Sequence, residues 1–402
     1  MNILQVCNKV PYPPKDGGAI AILNLATGFS SKGHRVTILA INTSKHQSDP
    51  AAIPSEYNTS IDFIYVPVDT RIRVVRLLSN FFFSRLPYNA ARFLNVNFSL
   101  QLMHLLKNNK YDIIQLEGLY LTMYIPLIRN HSNALVAFRA HNIEHEIWRR
   151  IAATTKNPFK RFYLNSLSRR IAAMEKGAIG DYDLLVPITE RDNKKFKELG
   201  NTKPVKVSQT GIKEEAFRKY TSKEKAKSIF FIGALDWAPN QEGLLWFLEN
   251  VWTDLKENIP GTAFHIAGRN APQWLTEKIT RYDTVFHGEI DNALTFFDEY
   301  DVMVVPLFAG SGMRIKIVEA MARSKAVVST SIGAEGIGAV HNWHLVIADD
   351  KEEMLTTLRK VLENYEFFVK LEENSFALAK QHFSNEKIAE ELLDFYKQHL
   401  TQ

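Results

Sequence analysis

Along the chain, runs of about five apolar residues rich in Val and Ile alternate with longer segments in which apolar positions return every three to four residues. Such runs predict strands at residues 3–6, 36–41, 62–66, 112–116, 135–138 and 184–188, then again at 228–232, 263–267, 284–286, 302–305, 326–329 and 344–347. Between most of them lie amphipathic helical segments. Short strands separated by helices are the pattern of parallel sheets covered by helices, so the fold class is α/β. The pattern runs twice, with a join near residues 201–211, which predicts two domains, 1–205 and 206–383, followed by closing helices. Ligands of open α/β sheets bind beyond the carboxyl ends of the strands, and a cleft between two such domains is the expected place.

The most informative stretch is 301–322, which reads as strand, glycine loop and amphipathic helix in unbroken order. Gly310 and Gly312 permit close backbone approach, and the unpaired N–H groups of the new helix face the same place. An anion such as phosphate is the natural guest. Arg314 and Lys316 add positive charge at the mouth, and Glu319, a turn further in, is an acceptor suited to a ribose diol or sugar hydroxyls. Together these residues describe a site for a nucleotide-diphosphate sugar. A strand, G-x-G and helix also open the dinucleotide-binding fingerprint, but the third glycine is missing here.

The continuation is more specific: Glu319-Ala320-Met321-Ala322, a predicted strand, then Gly333-Ala334-Glu335-Gly336. This stretch resembles the donor-binding motif of the retaining family 4 glycosyltransferases, which have the GT-B fold of two Rossmann-like domains. The resemblance implies a donor domain at 206–383, and an acceptor domain at 1–205 to which the last helix, 384–402, returns. It assigns Glu319 to the nucleotide ribose. It assigns the backbone of Gly310, Ser311, Gly312 and Met313 to the diphosphate. The chain departs from the family at two places. Ser311 stands where a sugar-contacting glutamate is common, and the loop from Gly233 to Asn240 lacks the usual arginine and lysine. Arg314 and Lys316 are therefore expected to replace them as the diphosphate clamp. Arg269, after the next strand, is placed near the phosphates or base. The resemblance further implies catalysis without a metal or other cofactor, the nucleotide sugar serving as co-substrate. It also implies a front-face mechanism in which the donor's phosphate takes the acceptor proton, so no protein nucleophile is expected.

In the first domain, Pro11 to Gly18 follows the first strand, with Asp16, Gly17 and Gly18 leading into a helix. Read locally, this is either a ligand loop or a proline-rich turn capped by Asp16. The family has the same loop near donor phosphates and acceptor. After the fifth strand comes His141-Asn142-Ile143-Glu144-His145, an H-x-x-E-H sequence found in inverted zinc peptidases. A zinc site needs both histidines on one helical face, whereas His141 sits at a strand end. The preferred reading is a cleft loop, with Asn142 capping a helix and His141 facing substrate; a histidine that only ties the loop together is the alternative. In the family a histidine at this strand end contacts the donor sugar. Glu117 after the fourth strand and Glu190 after the sixth complete the acceptor side, although each would also suit a helix start.

Composition sharpens this outline. Of the 402 residues, 46% are hydrophobic and one, Cys7, is cysteine, which excludes a disulfide framework and a cysteine metal cluster and fits a reducing cytoplasm. No apolar run approaches the roughly 20 residues of a membrane span, and the N-terminal run is too short for a signal peptide. Residues 71–92 carry no acid, several arginines and three consecutive phenylalanines, and 147–174 is a second acid-free span, carrying Arg149, Arg150, Lys156, Lys160, Arg161, Arg169 and Arg170. Both suit an anionic membrane surface or a lipid diphosphate, giving a cytoplasmic protein in peripheral contact with the inner face of the membrane. Solvated helices with inward-packed phenylalanines are the plainer alternative. A net charge of +5 without a binding motif argues against nucleic acid. The expected function is transfer of a hexose-type sugar to a hydroxyl acceptor, a glycan or lipid-linked glycan of a surface polysaccharide or glycolipid. The rivals are a nucleotide-sugar epimerase of the same fold, a two-lobed sugar-binding protein and the zinc peptidase.

Overall fold

The computed structural model describes residues 1–400 except Lys15, Lys45, His46, Lys223 and Ser311. Among these residues the strands are β1 Asn2–Cys7, β2 Arg35–Thr43, β3 Ile61–Val68, β4 Ile113–Glu117, β5 Leu135–Ala140 and β6 Leu184–Pro187, then β7 Ser228–Ile232, β8 Ala263–Ala267, β9 Val285–Gly288, β10 Val302–Val305, β11 Ala326–Ser329 and β12 Val346–Ile347. Each falls on one of the apolar runs. The chain forms two compact units, Met1–Gly211 with Asn385–Gln402, and Ile212–Ser384.

The first sheet has the order β3-β2-β1-β4-β5-β6 and the second β12-β11-β10-β7-β8-β9. Renumbered from its own first strand, the second sheet repeats the 3-2-1-4-5-6 order of the first. All the recorded strand pairs are parallel. In such a sheet the chain winds outwards in both directions from the first strand. The crevice for a ligand opens between the first and fourth strands, where neighbouring connections leave on opposite faces. That crevice lies at β1/β4 in the first unit and at β7/β10 in the second.

Strand periodicity divides the first unit's core into two layers. Leu4, Val6, Leu39, Ile114, Leu116 and Phe138 face one side and pack with Phe98, Leu102 and Leu167. Ile3, Cys7, Ile38, Ile113 and Ala137 face the other, against Ile22, Leu25 and Phe29 of the helix Gly17–Ser31 and Leu392 and Tyr396 of the helix Asn385–Leu400. The second layer contains unusual members. Gln5 pairs in register with Gln115, Cys7 with Glu117, and Glu117 with Arg139, so strand alternation brings a ladder of polar side chains under the last helix. Gln5, Gln115, Glu117 and Arg139 are each at most 1% exposed. Buried polar groups of this kind must find partners within the fold.

The candidate donor loop and a buried histidine cluster

In the second unit, β10 runs into a loop and then the helix Ile315–Ala322, with Arg314 in the N-cap position. Gly310 and Gly312 have φ of 120° and 82°, a region that strains any side-chain-bearing residue. At Gly310 the space is closed as well, since a Cβ would sit 2.6 Å from Nη2 of Arg314 and 2.9 Å from the ring of Trp237. Arg314 donates from Nη1 to the Gly312 carbonyl at 2.7 Å, and its guanidinium lies 5.6 Å from the centre of the Trp237 ring. The arginine is thus held along the glycine loop by a hydrogen bond and a cation–π contact, the latter worth about 0.5–2 kcal/mol. Lys316 donates to Glu319 at 2.7 Å across one helical turn, with Glu319 the more buried of the two. This pairing keeps the Glu319 carboxylate matched in charge beside a site rich in N–H donors.

Trp237 comes from the loop after β7, the other edge of the crevice. That loop is tied down: the Gly233 N–H donates to Ala267 O at 3.2 Å, Leu235 N–H to Arg269 O at 2.9 Å, and the Asn240 amide to Ala234 O at 2.9 Å. Gly233 and Arg269 therefore join neighbouring strand ends, and Met313 sits half-buried just before Arg314. Ser311 lies outside the described residues. Trp237 is the residue beside the candidate site that sequence reasoning passed over, although it is the one large aromatic between β7 and its helix.

In the first unit, Asp16 accepts from the Ala19 N–H at 2.9 Å and caps the helix Gly17–Ser31; it also pairs with Lys9. Gly17 and Gly18 form that helix's first turn, and the Lys9 ammonium lies where a Gly18 Cβ would be, at 2.7 Å. Glu117 is buried at the end of β4 and accepts from His141 Nε2 at 2.6 Å, Arg139 Nη1 at 3.3 Å, Gln5 Nε2 at 3.4 Å and Gln115 Nε2. Burial alone would raise its pKa, but the Arg139 charge and the His141 and Gln115 hydrogen bonds outweigh it and hold the carboxyl below the usual range. Burial lowers the pKa of His141, and Glu117 does not fully offset it. The pair is therefore a carboxylate and a neutral imidazole near pH 7.

The H-x-x-E-H residues separate. His145 pairs with Glu175 through Nδ1, while His141 pairs with Glu117. No group of three or more His, Cys, Asp or Glu able to hold a metal occurs among the described residues. Asn142 is not the helix cap it was expected to be. The helix starts at Glu144 with Ile143 in the cap position, and Glu175, 31 residues on, accepts from the N–H groups of Glu144 at 2.7 Å and His145 at 3.2 Å. A carboxylate arriving from the helix Pro158–Ala178 thus does the work of a local cap. Glu190 is exposed in the first turn of the helix Glu190–Glu198, where Asn193 donates to it and Thr189 supplies the cap.

The basic, phenylalanine-rich segments meet on the surface of the first unit. Phe81 packs on Phe162 and Tyr163 at 6.4 and 5.8 Å, and Arg170 donates to the carbonyls of Asn80 and Leu86, joining the helix Val74–Phe83 to Pro158–Ala178. Phe81 accordingly packs inwards. Phe83 and Phe159, however, are 88% and 86% exposed, and Val75, Leu78, Phe82 and Phe162 are exposed beside them. Among the described residues no helix is long and apolar enough to cross a membrane.

Comparison with known proteins matches these two halves separately. Residues 15–216 match the model of Glycosyltransferase Family 4, and residues 226–364 that of Glycosyl transferases group 1. A 44.6 kDa protein of the cps region of Klebsiella pneumoniae is 24% identical over 400 residues, covering 96% of this chain and 97% of its own. Sucrose-phosphate synthase from Thermosynechococcus elongatus has a similar fold, with a TM-score of 0.73, 14% identity and full coverage of both chains. HepE of Anabaena in complex with UDP aligns with a TM-score of 0.69 and 12% identity over 99% of this chain and 100% of that one. Staphylococcus aureus TarM gives 0.70 at 11% identity over 98% of each. With the family 4 model spanning half the sequence and the group 1 model most of the remainder, the chain belongs to the family 4 glycosyltransferases of GT-B fold and is a glycosyltransferase.

Proposed function

We propose that the enzyme transfers a hexose-type sugar, with retention of anomeric configuration, from a nucleoside-diphosphate sugar to a hydroxyl of a glycan or lipid-linked glycan during surface polysaccharide assembly. The observation that carries this reading is the loop after β10. Two glycines in left-handed backbone lead to a helix N-terminus, with Arg314 held along the loop and Lys316 and Glu319 on the first turns. A diphosphate accepts from such N–H groups and cations. Glu319 then releases Lys316 and accepts from the ribose diol, so Lys316 is freed for the phosphates at the moment the nucleotide arrives. HepE in complex with UDP and with UDP-glucose supports a nucleotide-sugar donor, and the relative from the capsule (cps) region supports polysaccharide synthesis.

In this mechanism the leaving diphosphate gains negative charge as the glycosidic bond breaks. Preorganised N–H groups, Arg314 and Lys316 stabilise that charge without a metal. The acceptor hydroxyl attacks from the face the diphosphate leaves, and its proton passes to the departing phosphate oxygen. His141 receives a hydroxyl of the donor sugar, with Asp16, Asn142 and Glu190 on the acceptor side and Glu117 buried behind His141. Incubation with a UDP-, GDP- and ADP-sugar panel and an acceptor glycan, followed by NMR of the product anomer, tests the reading. An α-linked product from an α-donor supports it. A β-linked product would overturn retention, and a converted sugar nucleotide without acceptor consumption would establish an epimerase instead.

The acceptor-side surface carries a second element of the reading. Exposed Phe82, Phe83, Phe159 and Phe162 with Arg76, Lys160 and Arg161 on the same two helices suit an anionic bilayer, where apolar rings bury and cations meet lipid headgroups. Flotation with anionic vesicles should recover the protein, and loss of that recovery in Phe83→Ser/Phe159→Ser would locate the contact. Absence of flotation from wild type would remove it.

A further inference from the structure

We infer that Tyr396, on the C-terminal helix, is a positioning residue that acts through Gln115 and Glu117 to fix His141 as the Nε2–H tautomer, with its Nδ1 lone pair offered to a ligand hydroxyl. Tyr396 is fully buried and donates its hydroxyl to Gln115 Oε1 at 2.6 Å. Gln115 turns its NH2 to Glu117 Oε1, and Glu117 Oε2 receives His141 Nε2 at 2.6 Å.

Each step forces the next. An ionised carboxylate can only accept, so Gln115 must present its amide nitrogen to Glu117 and its oxygen away from it. The group facing that oxygen must donate, and a tyrosine hydroxyl can. His141 must likewise be the donor towards Glu117, which places its single neutral-form proton on Nε2 and leaves Nδ1 as an acceptor. The direction of every bond is therefore set by the chemistry of its neighbours. A flip of the Gln115 amide would put two acceptors face to face.

The charged and titratable groups around this ring come from three strands, or the loop just after one, and from the last helix. Glu117 ends β4, Arg139 lies on β5, Lys9 follows β1, and Cys7 and Tyr396 flank Glu117 from β1 and the last helix. Arg139 balances the carboxylate at 3.3 Å, and Lys9 adds a second positive charge that disfavours protonation of His141. A neutral acceptor nitrogen suits a sugar hydroxyl, which donates. It does not suit a phosphate oxygen, which would need a second donor from the ring. For its consequence in catalysis the inference rests on the reading of His141 as a sugar contact; for the ring's tautomer it does not.

The test exploits that independence. The imidazole 15N signals of His141, one of 12 histidines, can be assigned by their loss in His141→Asn and followed from pH 5 to 8 without any substrate. Wild type should show protonated Nε2 and unprotonated Nδ1 at neutral pH. In Tyr396→Phe, Gln115 Oε1 loses its buried donor and the Gln115 amide is held less firmly against Glu117. This leaves the carboxylate more basic and should raise the His141 pKa, so that the imidazolium appears at higher pH than in wild type while Nε2 stays protonated. An Nδ1–H tautomer or an imidazolium in neutral wild type overturns the inference, and so does a folded Tyr396→Phe with an unchanged ring spectrum. The wild-type spectrum decides the tautomer even where a variant does not fold. In a transfer assay Tyr396→Phe should lower kcat about tenfold with little change in donor KM, in line with a buried hydrogen-bond partner lost. An altered ring with unchanged kcat would instead remove His141 from the reaction while leaving the relay intact.

Discussion

The two units share a strand order, and each gathers its polar residues at the same topological point, yet they are built on opposite principles. At β7/β10 the candidate donor loop is largely backbone: glycines, helix N–H groups and two half-buried cations within ten residues of sequence. At β1/β4 the histidine cluster is side chain throughout, drawn from Gln5, Gln115, Glu117, Arg139, His141 and Tyr396 over nearly the whole chain. A backbone site is open to ligand and tolerant of desolvation. A buried side-chain network must satisfy each of its members, so one loss strands the others. Changes in the first should therefore show as lost affinity, and changes in the second as lost stability.

The sharpest break of that contrast is Arg139→Met. It leaves Glu117 buried beside a neutral histidine, and denaturant unfolding should show the first unit weakened by about 3–5 kcal/mol. Next comes Gly310→Val, where left-handed backbone and the Arg314 and Trp237 contacts should together impose about 1–3 kcal/mol of strain. Donor binding should weaken while the first unit's unfolding is unchanged. Trp237→Ala removes only the ring beneath Arg314. It should raise donor Kd several-fold, following a cation–π loss of about 0.5–2 kcal/mol, with little effect on thermal stability because the ring is exposed. Equal destabilisation by Trp237→Ala and Arg139→Met would erase the distinction.

The smallest effect is one of pH. Burial, then the charge of Glu175, pushes the Glu144 carboxyl up to about 7, with the Tyr120 hydroxyl bond opposing them. A raised folded pKa means that the stabilisation is complete below the ordinary glutamate value and is lost as pH rises through about 7. Glu144→Gln should therefore unfold later than wild type at pH 8 and no later at pH 4, measured by thermal melts. A gain at pH 4 as large as that at pH 8 would remove the ionisation of Glu144 as the cause.

The same contrast explains what could be read from the sequence. All twelve strands were legible, most of them because parallel strands buried on both faces must be continuous apolar runs; the edge strands β3 and β9 are only partly buried and show weaker runs. The strand, glycine turn and helix of the candidate donor loop were legible because its glycines, cations and glutamate are sequence neighbours. The ladder beneath the last helix was not. Gln5 and Gln115 look like ordinary polar interruptions of a strand, and only the register of β1, β4 and β5 makes them adjacent. Tyr396 lies 281 residues from its partner. Asn142 was misread as a cap for a related reason. Local sequence offered an Asx residue before a helix, but the carboxylate that binds those N–H groups is Glu175, supplied by tertiary packing.

The most direct measurement is isothermal titration of UDP-, GDP- and ADP-sugars into wild type and Glu319→Ala, without added metal. One nucleotide series should bind wild type, and its affinity should fall by roughly ten- to a hundredfold in the variant, the loss expected when one charged acceptor of two ribose hydroxyls is removed. Equal affinity in the two proteins would contradict the placement of the donor at the loop after β10.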